Sequence, residues 1–532
     1  MGVKRFFNQF VVFLLGIAAA VVFFVSFFTT IYYDAHVDVD FPHYKNETIL
    51  HLVLSMLAVF VFFFIVYKKK WLESGKVLVA ALIFCTAYCM MLIISIKPQP
   101  VDDSKLIDDV LVQFSNGDYS SLTGRGGYLY TWPFQLGYFL FGQLIDKVFS
   151  HGNYFAWDVI QVICILITVY LLYQIAWELF ENKRICGIMA LLSFGMLFFY
   201  NYSTFIYGDI LSLAPQTMAL YLTILFVKKE RFVYGILSAV CMGMAVLLKT
   251  NCEIAMIAIG IILFFSTWKD ELGENGYCSY EPLRRFAKRA FLILLMILVV
   301  KGFTGAVDGY YCKLTGLSEI PGGSPSVSHI VMGLSESELE DGWYNRYNYD
   351  VFAANDYDTE KTKAAATEDL KERLQFFLQN PGYFARFMAR KFATQWADSV
   401  CITTHNLDLV SRHVDNPGVL KDFIVFGKGS IILRWIMNVF MSVCYLCVLI
   451  YLISRFFVGF RRRKDQRAEA VMQVTTQEML LLVLILGGMA FHQFWEGSSR
   501  YAMRYYIYWM PYAAFGMDRA LGKISHFIRK DS

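Results

Sequence analysis

Charge is scarce in this 532-residue chain, and so is proline: Asp, Glu, Lys and Arg make up 17% of it, and 11 residues are proline. A soluble globular chain averages roughly 25% charged and 45–50% apolar residues. Here the apolar share is 57% and the mean hydropathy is +0.46. The scarcity is concentrated. Val11–Tyr33, Ile49–Tyr67 and Val77–Ile96 contain no Asp, Glu, Lys or Arg, and each is long enough to cross a hydrocarbon layer of roughly 30 Å. Runs of this kind exclude a soluble enzyme, a disordered chain, a coiled coil and a collagen-like fibre. Their Ala/Gly/Phe-rich character, without ten-residue alternation, excludes an outer-membrane barrel.

Other absences narrow the function. There is no Walker loop and no Gly-x-Gly-x-x-Gly, so consumption of ATP or a nucleotide sugar is not expected. No basic stretch interleaves with aromatics, which argues against a nucleic-acid partner. The eleven cysteines form no framework: Cys85, Cys89, Cys164, Cys186, Cys241, Cys444 and Cys447 lie in or beside apolar runs, where a thiol behaves as a small hydrophobe. The first apolar run exceeds a signal-peptide core and no small-residue cleavage site follows it, so it reads as a retained anchor.

What is present is charge at the ends of the apolar runs. Lys and Arg beside a span mark the cytoplasmic side. The clusters are Lys4–Arg5, Lys68–Lys70, Lys183–Arg184, Lys228–Arg231, Arg284–Arg289, Arg461–Lys464, and Lys523 with Arg529–Lys530. Keeping them all on one side predicts about twelve spans: 11–33, 49–67, 77–97, 154–178, 185–201, 210–227, 232–248, 252–268, 290–306, 429–454, 477–494 and 502–521. Both termini then lie in the cytoplasm. Phe134–Phe149 is too short to span and is interrupted by Gln143, Asp146 and Lys147, so it reads as an amphipathic helix on the outer interface. Four segments follow: an N-terminal helix pair (1–76), a transmembrane core (77–306) with a first outer loop (98–153), a long outer region (307–428) and C-terminal spans (429–532). Within the long outer region, Ala364–Ser399 reads as helical, broken at Asn380-Pro381-Gly382. No retention signal ends the chain, and a bacterial plasma membrane is the expected location.

The polar groups with chemical potential all fall on the outer side. Asp102 and Asp103 follow the third span, with Lys105 close by. Two carboxylates at a membrane edge are costly unless solvated, paired or bound to metal, and one of them can carry a raised pKa suited to accepting a proton from a hydroxyl. Tyr128 and Trp132 precede the interfacial helix and suit stacking on a sugar ring. Asp209 opens one span and Lys249 closes another. Glu496, Arg500 and Tyr501 form a charged knot at the last outer edge, and His329 opens the long region. Arg holds phosphate with a bidentate fork and Lys holds it as a point charge. Carboxylates, cations and aromatics at one lipid–water edge suit attack by an acceptor hydroxyl on a sugar carried by a lipid phosphate, with the cations stabilising the departing phosphate.

In order, these motifs resemble the GT-C fold glycosyltransferases, closest to the bacterial relatives of protein O-mannosyltransferases and of the lipid A aminoarabinose transferase (glycosyltransferase family 39-like). The resemblance runs from about Val77 to the C-terminus. Its pieces are Asp102-Asp103…Asn116-Gly117-Asp118, then Trp132-Pro133-Phe134-Gln135-Leu136-Gly137, then Gly235…Gly243-Met244-Ala245…Lys249, then Glu496-Gly497-Ser498-Ser499-Arg500-Tyr501. It implies an all-α polytopic fold of the GT-C type with interfacial helices and a long extracytoplasmic loop. It also implies inverting transfer from a polyprenyl-phosphate sugar, with Asp102 or Asp103 as general base. Lys105, Lys249 and Arg500 are then candidates for the donor phosphate. Asp209, Tyr128, Trp132, Glu496, Tyr501 and His329 are candidates for substrate contact. The partners would be a lipid-linked sugar donor, a cell-envelope glycan, lipid or protein acceptor, and membrane lipids. The acidic pair could also coordinate Mg2+ or Mn2+ through oxygen, although no full ligand set is visible. This chain departs from the family pattern in carrying Asp103 where many relatives have Glu or Gln, in its extra N-terminal pair of spans, and in lacking the His-Pro-Pro form of the amphipathic segment.

Two other classes compete. A transporter or flippase of lipid-linked sugars would bind near the midplane between inverted repeats, yet no repeat of the 77–250 block recurs. A glycan polymerase or ligase also carries a large outer loop, and Arg346, Arg386, Arg390 and Arg412 keep that alternative open.

Overall fold

The computed structural model describes residues 2–34, 37–268, 281–412, 421–460 and 474–530. Of the structure, 81% is helical, as apolar backbone in a bilayer demands: with no water to satisfy N–H and C=O groups, the helix is the structure that satisfies them within one segment. Among the described residues, eight helices are long and apolar enough to cross a membrane: Val3–Phe28, Ile49–Lys68, Lys76–Ile96, Tyr154–Phe180, Gly208–Lys229, Leu283–Thr315, Lys428–Phe457 and Thr476–Phe494. The other expected spans fall on a pair bent by 57° (Lys183–Gly195 and Leu197–Thr204), on the shorter apolar helices Phe232–Leu248 and Thr250–Phe265, and on Ser499–Lys530. The chain is an all-α polytopic membrane protein. The expected cluster Arg461–Lys464 lies outside the described residues.

Two boundaries differ from expectation. The first span stops at Phe28. Thr29–Tyr32 is a strand, paired antiparallel with His43–Asn46 from Thr29↔Asn46 to Tyr32↔His43. Thr, Ile and Tyr favour a pleated strand once the chain leaves the bilayer, and their hydrophobicity had merged them with the helix. The expected span 290–306 is only the middle of one helix, Glu281–Thr315. The segment expected at the interface is helical over Leu136–Phe149, with Pro133 opening a short turn into it; proline suits a first helical turn because its missing N–H would be unpaired there anyway. In the long outer region, Thr359–Gln379 and Pro381–Trp396 are separate helices that break at Asn380.

The two ends of the bundle differ in charge chemistry. At one end the basic clusters meet acids: Lys228 reaches Glu178 at 2.8 Å, Arg289 reaches Glu230 at 3.0 Å, and Arg455 reaches Glu478 at 2.8 Å. At the other end the outer helices and the hairpin close over the bundle. Asp398 ties them together there. Its buried carboxylate accepts from Tyr33 (3.1 Å), Ser499 (2.6 Å) and the backbone N–H groups of Val400 and Ile402 (2.9 and 3.0 Å). One side chain thus joins the N-terminal hairpin, the outer region and the start of the last helix.

Candidate functional site

A cavity of about 1280 Å3 opens at this second end. Asp102, Asp103, Tyr128, Trp132, Lys249, His329, Glu496, Arg500 and Tyr501 all line it. Residues far apart in sequence therefore converge on one space.

The carboxylates come from the first turn of the helix Asp102–Ser115. Asp102 adopts φ +49°, the left-handed region, a conformation that costs a non-glycine residue of order 1 kcal/mol and is tolerated best by Asp and Asn. Asp103 accepts a hydrogen bond from Tyr207 Oη at 3.5 Å, and Tyr207 in turn accepts from Gln135 Nε2. Asp102 has no side-chain hydrogen bond or ion pair among the described residues, and its carboxylate stands open to the cavity. Its pKa is raised, first by burial and then by Asp103, while Arg500 pulls it back.

The cations arrive on helix ends that two glycines allow to approach closely. A Cβ on Gly137 would stand 2.1 Å from Leu247 O, and one on Gly208 would stand 2.5 Å from Leu248 O. The interfacial helix and the start of Gly208–Lys229 therefore pack backbone against backbone around Leu247–Lys249. This is the physical content of Gly137 in the Trp132–Gly137 motif and of Gly208 in the Gly208-Asp209 step. Lys249 Nζ then sits 3.3 Å from Asp209 Oδ2 and 4.0 Å above the Tyr207 ring. Arg500 lies 5.9 Å from the same ring and 5.7 Å from Phe205, geometry that supplies cation–π attraction. Its Nη2 reaches Tyr501 Oη at 3.5 Å. Behind it Arg504 donates to Ser212 Oγ at 2.9 Å. Among the described residues, neither Arg500 nor Arg504 has a carboxylate within ion-pair distance. Nε of both, and Nη1 of Arg504, are buried without a hydrogen-bond partner. Buried charge is costly unless compensated; Lys249 is compensated by Asp209, while Arg500 acts on Asp102 and Glu496 only beyond ion-pair distance.

The opposite wall is aromatic. His329 stacks on Trp495 with ring centroids 4.9 Å apart and planes 3° from parallel, and Trp132 meets it edge-on at 5.6 Å. Burial pushes the His329 imidazole down to about 4, so it is neutral near pH 7. Tyr501 stacks on His492 at 4.9 Å and donates to Glu496 Oε1 at 3.2 Å. Burial raises the Glu496 carboxyl, against Arg500 and Tyr501. The Trp495–Glu496 link is held from outside by Lys391, which is buried and donates to Trp495 O at 2.6 Å and to Gly333 O. Burial brings its ammonium down to about 7.

Two predicted residues are placed elsewhere. Asp209 lies behind the cavity, fully engaged with Lys249. Lys105 points away and pairs with Asp109 at 2.6 Å and Asp108 at 3.5 Å, its i+4 and i+3 neighbours on an exposed helix face. A surface pair of this type is worth roughly 0.3–0.5 kcal/mol. Lys105→Ala is therefore expected to leave donor KM within about twofold of wild type in a steady-state assay. Residues that sequence reasoning missed include Tyr207, Gln135, Asp40, His405 and Asn406. Tyr207 alone carried a local signal, since it precedes the Gly208-Asp209 step. Among the described residues, no three His, Cys, Asp or Glu side chains gather into a metal-binding group, so Asp102 and Asp103 stand without a third ligand of those types.

Carboxylates, the cations Lys249 and Arg500 and an aromatic wall thus meet in a cavity at one end of a polytopic helical bundle, an arrangement suited to group transfer. The model of one protein family, dolichyl-phosphate-mannose-protein mannosyltransferase, matches residues 134–277. The matched segment begins at the interfacial helix and contains Tyr207, Asp209 and Lys249. The match supports a membrane glycosyltransferase of the GT-C type. No curated protein and no solved structure matches the chain significantly.

Proposed function

We propose that the protein moves a sugar from a polyprenyl-phosphate donor to an acceptor hydroxyl of the cell envelope, with inversion, on the extracytoplasmic face of a bacterial membrane. The observation that carries this reading is the cavity that open Asp102 shares with Lys249 and Arg500, where the Arg500 guanidinium has no carboxylate within ion-pair distance among the described residues. A phosphate supplies the missing negative charge. The basic clusters at the opposite end of the bundle support the orientation, because cationic ends stay inside.

In the proposed step, Asp102 accepts the proton of the acceptor hydroxyl. The hydroxyl oxygen forms a bond to the sugar's anomeric carbon from the face opposite the phosphate. The anomeric carbon–oxygen bond breaks, and its electron pair leaves with the lipid phosphate, whose charge Arg500 and Lys249 receive. Asp103, tied to Tyr207, holds the first turn of its helix against the cation wall. Charge that grows on the phosphate in a low-dielectric cavity is where fixed cations contribute most.

Reconstitution with radiolabelled polyprenyl-phosphate sugars tests the reading. Label should leave the lipid and appear in an acceptor. Label that crosses the bilayer with its sugar–phosphate bond intact would point to a transporter instead.

The pH profile gives a second check. The base acts as its carboxylate, and the Asp102 pKa is raised above the ordinary value of about 3.9. Activity is therefore lost as pH falls through a midpoint above that value. Arg500 favours the carboxylate, so Arg500→Ala should push the acid limb of kcat/KM to still higher pH. An acid limb at the same pH in both proteins would remove Asp102 from the role.

A further inference from the structure

The extra N-terminal helices reach the site through the hairpin that joins them. Asp38, Val39 and Asp40, between its two strands, line the same cavity as Asp102. The hairpin is fastened on several sides. Tyr33 bonds to Asp398 and to Ser499, Asn438 donates to Thr30 Oγ1 at 3.0 Å, and Arg412 holds Asp38 and the carbonyl of Val37. Asp38 is thus engaged. Asp40, half-buried, makes no hydrogen bond or ion pair among the described residues. It lies close enough to act electrostatically on Asp102, Glu496 and His405.

The helix Thr403–Ser411 supplies the matching side. His405 and Asn406 are 3% and 7% exposed and both line the cavity. His405 Nδ1 and Asn406 Nδ2 have no hydrogen-bond partner among the described residues. A buried polar atom left unpaired costs about 1–3 kcal/mol, a penalty that a ligand in the cavity removes. Leu106, one turn beyond Asp102 on the same helix, gives this corner an apolar patch.

We infer that Asp40, His405 and Asn406 form an acceptor subsite for a saccharide, built against Asp102 by the N-terminal hairpin. The inference rests on the transferase reading above and names its acceptor class. The donor phosphate belongs with the cations, because the carboxylates of Asp40 and Asp102 repel it. A carboxylate that takes hydroxyl protons, an amide that donates, an imidazole that does either and a small apolar patch match a sugar ring, which alternates hydroxyls with C–H faces.

The test uses the full chain in proteoliposomes with radiolabelled polyprenyl-phosphate mannose. The acceptors are a panel of methyl hexosides and short oligosaccharides, beside a Ser/Thr-containing peptide. Label should enter a saccharide. Asp40→Asn and Asn406→Ala should each raise its KM by about tenfold, with donor KM moved by less than about twofold, as expected for the loss of one ligand hydrogen bond. Calorimetric binding of the same saccharide to the Asp102→Asn protein, which needs no turnover, should weaken by about tenfold when Asn406→Ala is added. Label that enters only the peptide overturns the saccharide assignment, and an unchanged acceptor KM in both variants overturns the subsite. Wild-type protein that releases no label from the donor with any acceptor overturns the transferase reading itself, and the subsite falls with it.

Discussion

Asp102→Asn is expected to lower the rate of sugar transfer by about 10²–10⁴-fold, the usual contribution of a positioned general base. The amide keeps the shape of the carboxyl and cannot take the acceptor's proton. Because Asp102 has no hydrogen-bond partner among the described residues, its replacement orphans none of them, and the loss should fall on kcat with little change in thermal stability. Asp103→Asn makes the contrast. Its carboxylate already receives the Tyr207 hydroxyl, and an amide oxygen can still accept that bond, so a loss nearer tenfold is expected for removal of one neighbouring charge. Steady-state transfer from a radiolabelled lipid donor separates the two. A larger loss in Asp103→Asn than in Asp102→Asn would exchange their roles.

Arg500→Ala is the second large effect. Removing one donor aimed at developing charge costs about 10²–10³-fold in kcat, and Arg500 is also a ground-state contact for the phosphate. Both kcat and donor affinity should therefore fall. Arg500→Lys should restore part of the activity, since a point charge replaces the fork without its bidentate geometry. Equal donor binding in Arg500→Ala and wild type, measured by titration with the polyprenyl phosphate, would take Arg500 out of the phosphate site.

Most of the span pattern was legible because a bilayer imposes a length on apolar sequence. Val77–Ile96 could hardly be anything but a crossing, and it is the helix Lys76–Ile96. The errors arise where hydrophobicity serves two masters. Thr29–Tyr32 is apolar enough to extend a span, and it forms a strand instead. Charges at span ends were also readable as a group, since Arg500 and Lys249, far apart in sequence, line one cavity. The placement of Lys105 was readable locally: Asp108 and Asp109 lie three and four residues on, where helical neighbours meet, and it pairs with them. Asp209 was read as a substrate contact because nothing in the sequence shows that Lys249, forty residues later, takes its carboxylate. Asp40, His405 and Asn406 carried no local signal at all. Their meeting depends on Asp398, which gathers Tyr33 and Ser499 from opposite ends of the chain.

That cavity draws its walls from Asp38 near the start of the chain to Tyr501 near its end. A nascent polypeptide still emerging from the ribosome therefore owns the proposed base long before it owns the phosphate ligand. Half-inserted chains lack the complete cavity, so under the proposed function they would leave lipid-linked sugar untouched during biogenesis. Any cut or premature stop ahead of the last helix should leave a membrane-inserted but inert product.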